Sequence, residues 1–138
     1  MKTVDDLSPV RPERTGHQGS VLVVDDESAV RRFAVRVLEQ AGYAVYEAED
    51  GAEALEMLQD AASEVAVVVS DVVMPRLDGV QLMQTLSESR PDLPVLLMSG
   101  YATAALTELG ITLPCGVIAK PFSAERLLNE VQRCLSKK

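Results

Sequence analysis

The chain predicts an α/β fold: strands and helices alternate five times and wind into one doubly wound parallel sheet, (βα)5. Three observations predict it. Short runs at 21–24, 65–69, 94–98 and 116–119 are almost wholly apolar, with valine prominent. Unbroken β-branched runs of that kind suit strands buried on both faces. Between them, apolar residues recur at helical spacing. Each run also stops at acids, Gly, Ser or Pro, which punctuate turns. Alternating elements with buried strands imply helices on both faces and right-handed crossovers. With 138 residues, one domain is expected.

Taken in order, residues 1–20 carry Pro9, Pro12, Gly16 and Gly19 among polar groups and show no period. They read as a disordered tail or linker, leaving 21–138 as the folded domain. The run 21–24 is the first strand, and Asp25-Asp26-Glu27 follows it. Ser28 is a candidate cap for a helix striped by Val30, Phe33, Ala34, Val37, Leu38 and Ala41. Gly42 suits its C-terminal end. Residues 43–48 read as a strand and 49–51 as a turn, and Ala54, Leu55, Leu58 and Ala61 stripe the next helix. The strand 65–69 stops at Ser70-Asp71, and Pro75, Asp78 and Gly79 mark a loop. Val80, Met83 and Leu86 lie on a helix that Arg90-Pro91-Asp92 breaks. The run 94–98 ends at Ser99-Gly100, 102–109 is weakly helical, and 116–119 ends at Lys120-Pro121. Ala124, Leu127, Leu128, Val131 and Leu135 stripe the last helix.

Hydrophobic residues make up 47% of the chain but aromatics only 4%, with no Trp, so the core must be aliphatic. The formal net charge is -8. The first twenty residues balance three basic against three acidic side chains, so the excess sits in 21–138. That argues against nucleic acid as a partner, which needs clustered Lys and Arg. Cys115 and Cys134 form neither a disulfide framework nor metal-ligand spacing, and buried or idle reduced thiols are expected. His17 stands alone in a polar stretch. No run approaches a membrane span and no signal peptide opens the chain, so a cytoplasmic protein without membrane contact is expected.

In a parallel sheet every C-terminal strand end lies on one edge, where open α/β sheets bind ligands. Here that edge collects Asp25 and Asp26, then Asp71, Ser99 and Lys120. Alone, each has a plain explanation as a cap, a turn or a solvated charge. Together they read as a phosphoryl site. Converging carboxylates repel one another, and a divalent cation with oxygen ligands resolves that conflict. A lysine and a hydroxyl opposite could hold phosphate oxygens.

These residues resemble the receiver domain of two-component response regulators. The matching pieces are Val-Leu-Val-Val-Asp-Asp-Glu at 21–27, Ser-Asp-Val-Val-Met-Pro at 70–75 with Gly79, Met-Ser-Gly at 98–100 and Lys-Pro-Phe at 120–122. The resemblance implies a flavodoxin-like sheet with strand order 2-1-3-4-5. It implies Asp71 as phosphoacceptor, and Mg²⁺ (or Mn²⁺) bound by Asp26, Asp71 and the backbone carbonyl of Val73, with Asp25 acting through water. It also implies Ser99 as the hydroxyl that turns toward the phosphoryl group and Lys120 as its ion-pair partner. A histidine kinase or phosphotransfer protein would be the donor, in a phosphorelay. The domain would be no enzyme beyond its own phosphorylation and dephosphorylation. A cis Lys120–Pro121 bond is expected, both from the resemblance and because the chain must turn sharply after Lys120.

Two features are this chain's own. The family's aromatic switch position is Val117, which is not aromatic and is stiff at χ1. Tyr101 is then the expected moving aromatic. The downstream partner is expected on the face built from 102–119 and the last helix, because 102–109 has few apolar anchors and should open readily. Three rivals are weaker. A phosphatase of similar architecture wants a second acid where Val73 stands. A flavin module would have its phosphate repelled by Asp25-Asp26-Glu27. A degenerate, binding-only receiver would not keep all five site residues. Because the chain ends after the last helix, a free-standing receiver or the receiver of a hybrid sensor kinase is expected.

Overall fold

The computed structural model describes residues 19–60, 65–74, 76–100 and 115–136. Five strands, β1 (Ser20–Val24), β2 (Ala44–Ala48), β3 (Val67–Asp71), β4 (Val95–Ser99) and β5 (Val117–Ala119), form one sheet. Its order is β2-β1-β3-β4-β5, with every pair parallel. This is the expected 2-1-3-4-5 order. The described helices are α1 (Ser28–Gln40), α2 (Gly51–Asp60), α3 (Gly79–Ser89) and α4 (Ala124–Ser136). The helix expected over 102–109 lies outside the described residues, as do the tail 1–18 and Tyr101.

Strand alternation divides the core in two. Val21, Val23, Val67, Val69, Leu96, Met98 and Ile118 face α1 and α4, where Ala34, Leu38, Leu127 and Val131 are buried. Leu22, Val24, Val68, Val95 and Leu97 face α2 and α3, packing with Ala54, Leu58, Leu82 and Leu86. Almost all of this is aliphatic, as the composition requires. β1, β3 and β4 are buried along their whole length, while the edge strand β5 is not.

Several boundaries shift, each for a local reason. β1 starts one residue early, because the Ser20 carbonyl accepts the Ala66 N–H. β3 begins at Val67 and continues through Ser70 and Asp71, which the polarity change had excluded. Ladder bonds ignore side-chain polarity: Asp71 pairs with Met98, and the buried Ser70 hydroxyl donates to the Asp71 carbonyl at 3.0 Å. The cap of α1 is Glu27 rather than Ser28, and Glu27 makes no side-chain cap bond. Gly42 ends α1 as expected, at φ 102°. Its N–H and that of Tyr43 return to Glu39 and Leu38, which is a Schellman ending. α3 opens on a capping box in which Asp78 and Gln81 bond each other's backbone N–H.

Cys115 and Cys134, expected to be reduced and idle, are instead joined by a disulfide, with a Cα–Cα separation of 5.6 Å. α4 packs back against the start of β5 and brings together residues 19 apart in sequence. The Lys120–Pro121 bond is cis. Among the described residues no helix is long and apolar enough to cross a membrane.

Candidate functional site

The C-terminal ends of β1, β3, β4 and β5 bring the predicted site residues to one edge. Asp25 leaves β1 fully buried. Its N–H donates to the Ala48 carbonyl and its Oδ1 accepts the Glu27 N–H at 2.9 Å, so backbone and side chain are both fixed. Asp26 is exposed and Asp71 is buried at the end of β3. One carboxylate oxygen from each of Asp25, Asp26 and Asp71 lies within 4.8 Å of the other two. Lys120 reaches into this cluster. Its Nζ is 3.1 Å from Asp25 Oδ2 and 3.1 Å from Asp71 Oδ1, while its N–H donates to the Ser99 carbonyl. Ser99 is buried at the end of β4.

The electrostatics follow from this crowding. Burial, and then the charge of Asp25, raise the Asp71 carboxyl above the ordinary aspartate range, and Lys120 only partly opposes them. Burial alone would push the Lys120 ammonium down. Bonds and charge from Asp25 and Asp71 outweigh that and raise it. Three carboxylates facing one ammonium leave an excess of negative charge in a partly dry place. Hard oxygen donors with that excess fit a small divalent cation such as Mg²⁺. The donor set contains no sulfur or imidazole to favour a softer metal.

Val73 follows in the loop after β3 with its side chain turned out and 57% exposed. Val117 is half-buried in β5 and packs on the α2–α3 side of the sheet. Sequence reasoning passed over Arg31, a basic residue three positions before Ala34 and seven before Leu38, on the apolar stripe of α1. It is buried, donates from Nη1 to the Asp25 carbonyl at 2.7 Å and from Nε to Glu47 at 3.0 Å. It therefore holds the backbone of the β1–α1 turn beneath the acids. An arginine amid an otherwise apolar stripe position was the signal available. Beside the site, Phe33 of α1 is 40% exposed, and its ring centroid lies 6.0 Å from that of Phe122.

Comparison with known proteins agrees with this geometry. The family model described as "Response regulator receiver domain" matches residues 21–132. The chain is 44% identical over 119 residues to the sensor kinase CckA of Brucella abortus (strain 2308), covering 86% of this chain but 13% of that protein. It is 35% identical over 116 residues to the response regulator receiver protein CpdR of the same strain, covering 83% of this chain and 95% of that one. It superimposes on the crystal structure of the receiver domain from the hybrid histidine kinase CckA with a TM-score of 0.71 at 36% identity, covering 85% of this chain and 99% of that one. Fold, strand-edge acids and matched sequence agree: the chain belongs to the response regulator receiver domain family.

Proposed function

We propose that Asp71 accepts a phosphoryl group from the phosphohistidine of a histidine kinase or phosphotransfer protein, with Mg²⁺ or Mn²⁺ bound beside it. The observation that carries this reading is the cluster itself: Asp71, buried and hard to ionise, within 4.8 Å of Asp25 and Asp26 oxygens and ion-paired to Lys120. An Asp71 carboxylate oxygen attacks phosphorus, the P–N bond to the donor histidine breaks, and its electron pair leaves with the imidazole. Asp26, Asp71 and the Val73 carbonyl would hold the cation, with Asp25 assisting through water, and the cation would screen the phosphoryl oxygens. Lys120 is already within reach of Asp71, so its ammonium can transfer from carboxylates to a phosphoryl oxygen by a small rotation. The Ser99 hydroxyl, at the next strand end, donates a charge-assisted bond to the same group. Exposed Phe33, with the half-buried Phe122 beside it, borders the site and is where the donor protein would pack. In this reading residues 21–138 are the receiver domain, 1–20 are a tail or linker, and the domain acts in the cytoplasm. The decisive test is peptide mass spectrometry after acetyl phosphate with and without Mg²⁺. A phosphoryl group on Asp71 only when metal is present is the expected outcome.

The relatives above include a kinase-borne receiver and a receiver spanning nearly a whole protein, and either setting suits this chemistry. A phosphatase reading has less support, because Val73 offers no proton where such an enzyme needs its second acid.

Phospho-Asp71 should decay over hours rather than seconds. Hydrolysis needs a positioned water in line with the P–O bond, and the Val73 side chain beside that approach is apolar and turned outward. Tyr101, the second residue expected there, lies outside the described residues. Val73→Asn supplies a carboxamide to orient water and should shorten the half-life, read by loss of the phosphorylated species on Phos-tag gels. Unchanged decay in both Val73→Asn and Tyr101→Ala removes the screening idea.

Phosphorylation should be read out through 102–119 and α4, with Tyr101 moving as Ser99 is drawn inward. Valine at 117 is too short and too stiff to fill the space an aromatic would take. Beryllofluoride should shift backbone NMR resonances of 100–109, and a spectrum unchanged there sinks the coupling.

A further inference from the structure

The loop between β3 and α3 is held at both ends by backbone bonds. Val72 donates to Met98 and accepts from Gly79, while the Leu77 carbonyl accepts the Gly51 N–H. Between them one residue, Arg76, adopts φ 67°, and among the described residues no other non-glycine has a positive φ. A β-carbon disfavours that conformation. Arg76 is also tied by its side chain. Its Nε and Nη2 both donate to Asp50 Oδ2, at 2.9 and 2.7 Å. Asp50 is itself held: it is 7% exposed just before α2, and its Oδ1 accepts the Glu53 N–H at 2.9 Å. That bond, with the Arg76 guanidinium, keeps the Asp50 carboxyl below the ordinary range despite burial.

We infer that the Asp50–Arg76 pair is a positioning device that sets the course of the β3–α3 loop and so presents the Val73 carbonyl to the cation at Asp25, Asp26 and Asp71. The inference rests on the metal reading proposed above. The pair spans 26 residues and joins the turn after β2 to the loop after β3. The Arg76 side chain is 65% exposed, and such an ion pair adds little to global stability. It ties instead the stretch of that loop between the backbone bonds at Val72 and Leu77, where the left-handed residue sits. Groups that orient ligands from behind alter metal affinity about 10-fold or more when lost.

Arg76→Gly removes the tether while keeping the left-handed backbone accessible. Asp50→Asn keeps an acceptor for Glu53 while removing the charge. Isothermal titration of the unphosphorylated protein with Mg²⁺ should show both variants binding about 10-fold more weakly than wild type. Arg76→Lys should recover most of the loss. At saturating Mg²⁺, acetyl phosphate should label Asp71 in all three at the wild-type rate, because the reacting groups are untouched. Melting temperatures should stay close to wild type. Equal Mg²⁺ affinity in Arg76→Gly and wild type overturns the inference. So does a lowered rate at saturating metal with unchanged affinity. A wild type that binds no Mg²⁺ overturns the metal reading itself, and this inference falls with it.

Discussion

Asp71→Asn protein, incubated with acetyl phosphate and Mg²⁺, should stay unphosphorylated, and without metal it should melt above the wild type. The first outcome follows from chemistry. A carboxamide is not a nucleophile at neutral pH and cannot form the acyl phosphate. Borohydride trapping followed by peptide mass spectrometry reads it, and labelling at the wild-type rate removes Asp71 as acceptor. The second outcome follows from the raised Asp71 pKa, caused by burial and then by Asp25. A carboxyl that is harder to ionise folded than unfolded costs nothing below its unfolded value of about 3.9. The cost grows as pH rises toward the folded value and stays in full above it. Asparagine carries no such cost, and Lys120 keeps Asp25 as its partner. The difference in Tm should therefore be small near pH 4 and grow toward neutrality, at about 3–5 °C for each kcal/mol relieved in a domain of this size. Added Mg²⁺ should raise wild-type Tm by mass action and raise that of Asp71→Asn much less. A variant that melts below wild type at neutral pH without metal contradicts this account of the cluster.

Gly79→Ala should be the most damaging single-methyl change near the site. A β-carbon on Gly79 would lie 2.1 Å from the Asp71 carbonyl oxygen and 3.0 Å from Val72 Cα. Both neighbours are backbone, so no side chain can swing aside. Gly79 opens α3, donates to the Val72 carbonyl, and follows Asp78 of the capping box. The methyl group must therefore push the start of α3 away from the end of β3 or displace Asp71 itself. Overpacking of this kind costs about 1–3 kcal/mol and more where backbone must move. Urea unfolding should show a loss at or above the top of that range. The fraction that remains folded should be phosphorylated slowly, since reacting groups misplaced by about 1 Å can cost about 10²-fold. Gly100→Ala is the matched comparison for stability: among the described residues nothing lies within 4 Å of its added carbon, and its φ is not positive. It should shift stability by no more than about 0.5 kcal/mol. Equal stability for the two variants would falsify the close-approach argument.

The alternation of elements, the buried strands and the residues that end them are legible in the sequence alone. These are local matters. A valine run states burial on both faces, helical spacing states one buried stripe, and a parallel sheet must put Asp25, Asp71, Ser99 and Lys120 on one edge whatever the loops do. Gly42 was legible as a helix end for the same reason. Strand limits were less so, because Ser70, Asp71 and Ser99 sit inside ladders that polarity alone would exclude. The spacing of Asp78 and Gln81 carries the capping box as well as the loop that Asp78 and Gly79 mark. Contacts between residues far apart in the chain emerge only in the folded molecule. Lys120 bridges Asp25 across 95 residues, and Arg76 reaches Asp50 across 26. Arg31 turns inward beneath Asp25, and Gly79 must be bare because the Asp71 carbonyl occupies the space of a side chain. Cys115 and Cys134 meet only because α4 folds back on β5. No local pattern encodes such distances. They arise from how the helices settle on the sheet, which sums many weak packing terms that no single stretch of sequence contains.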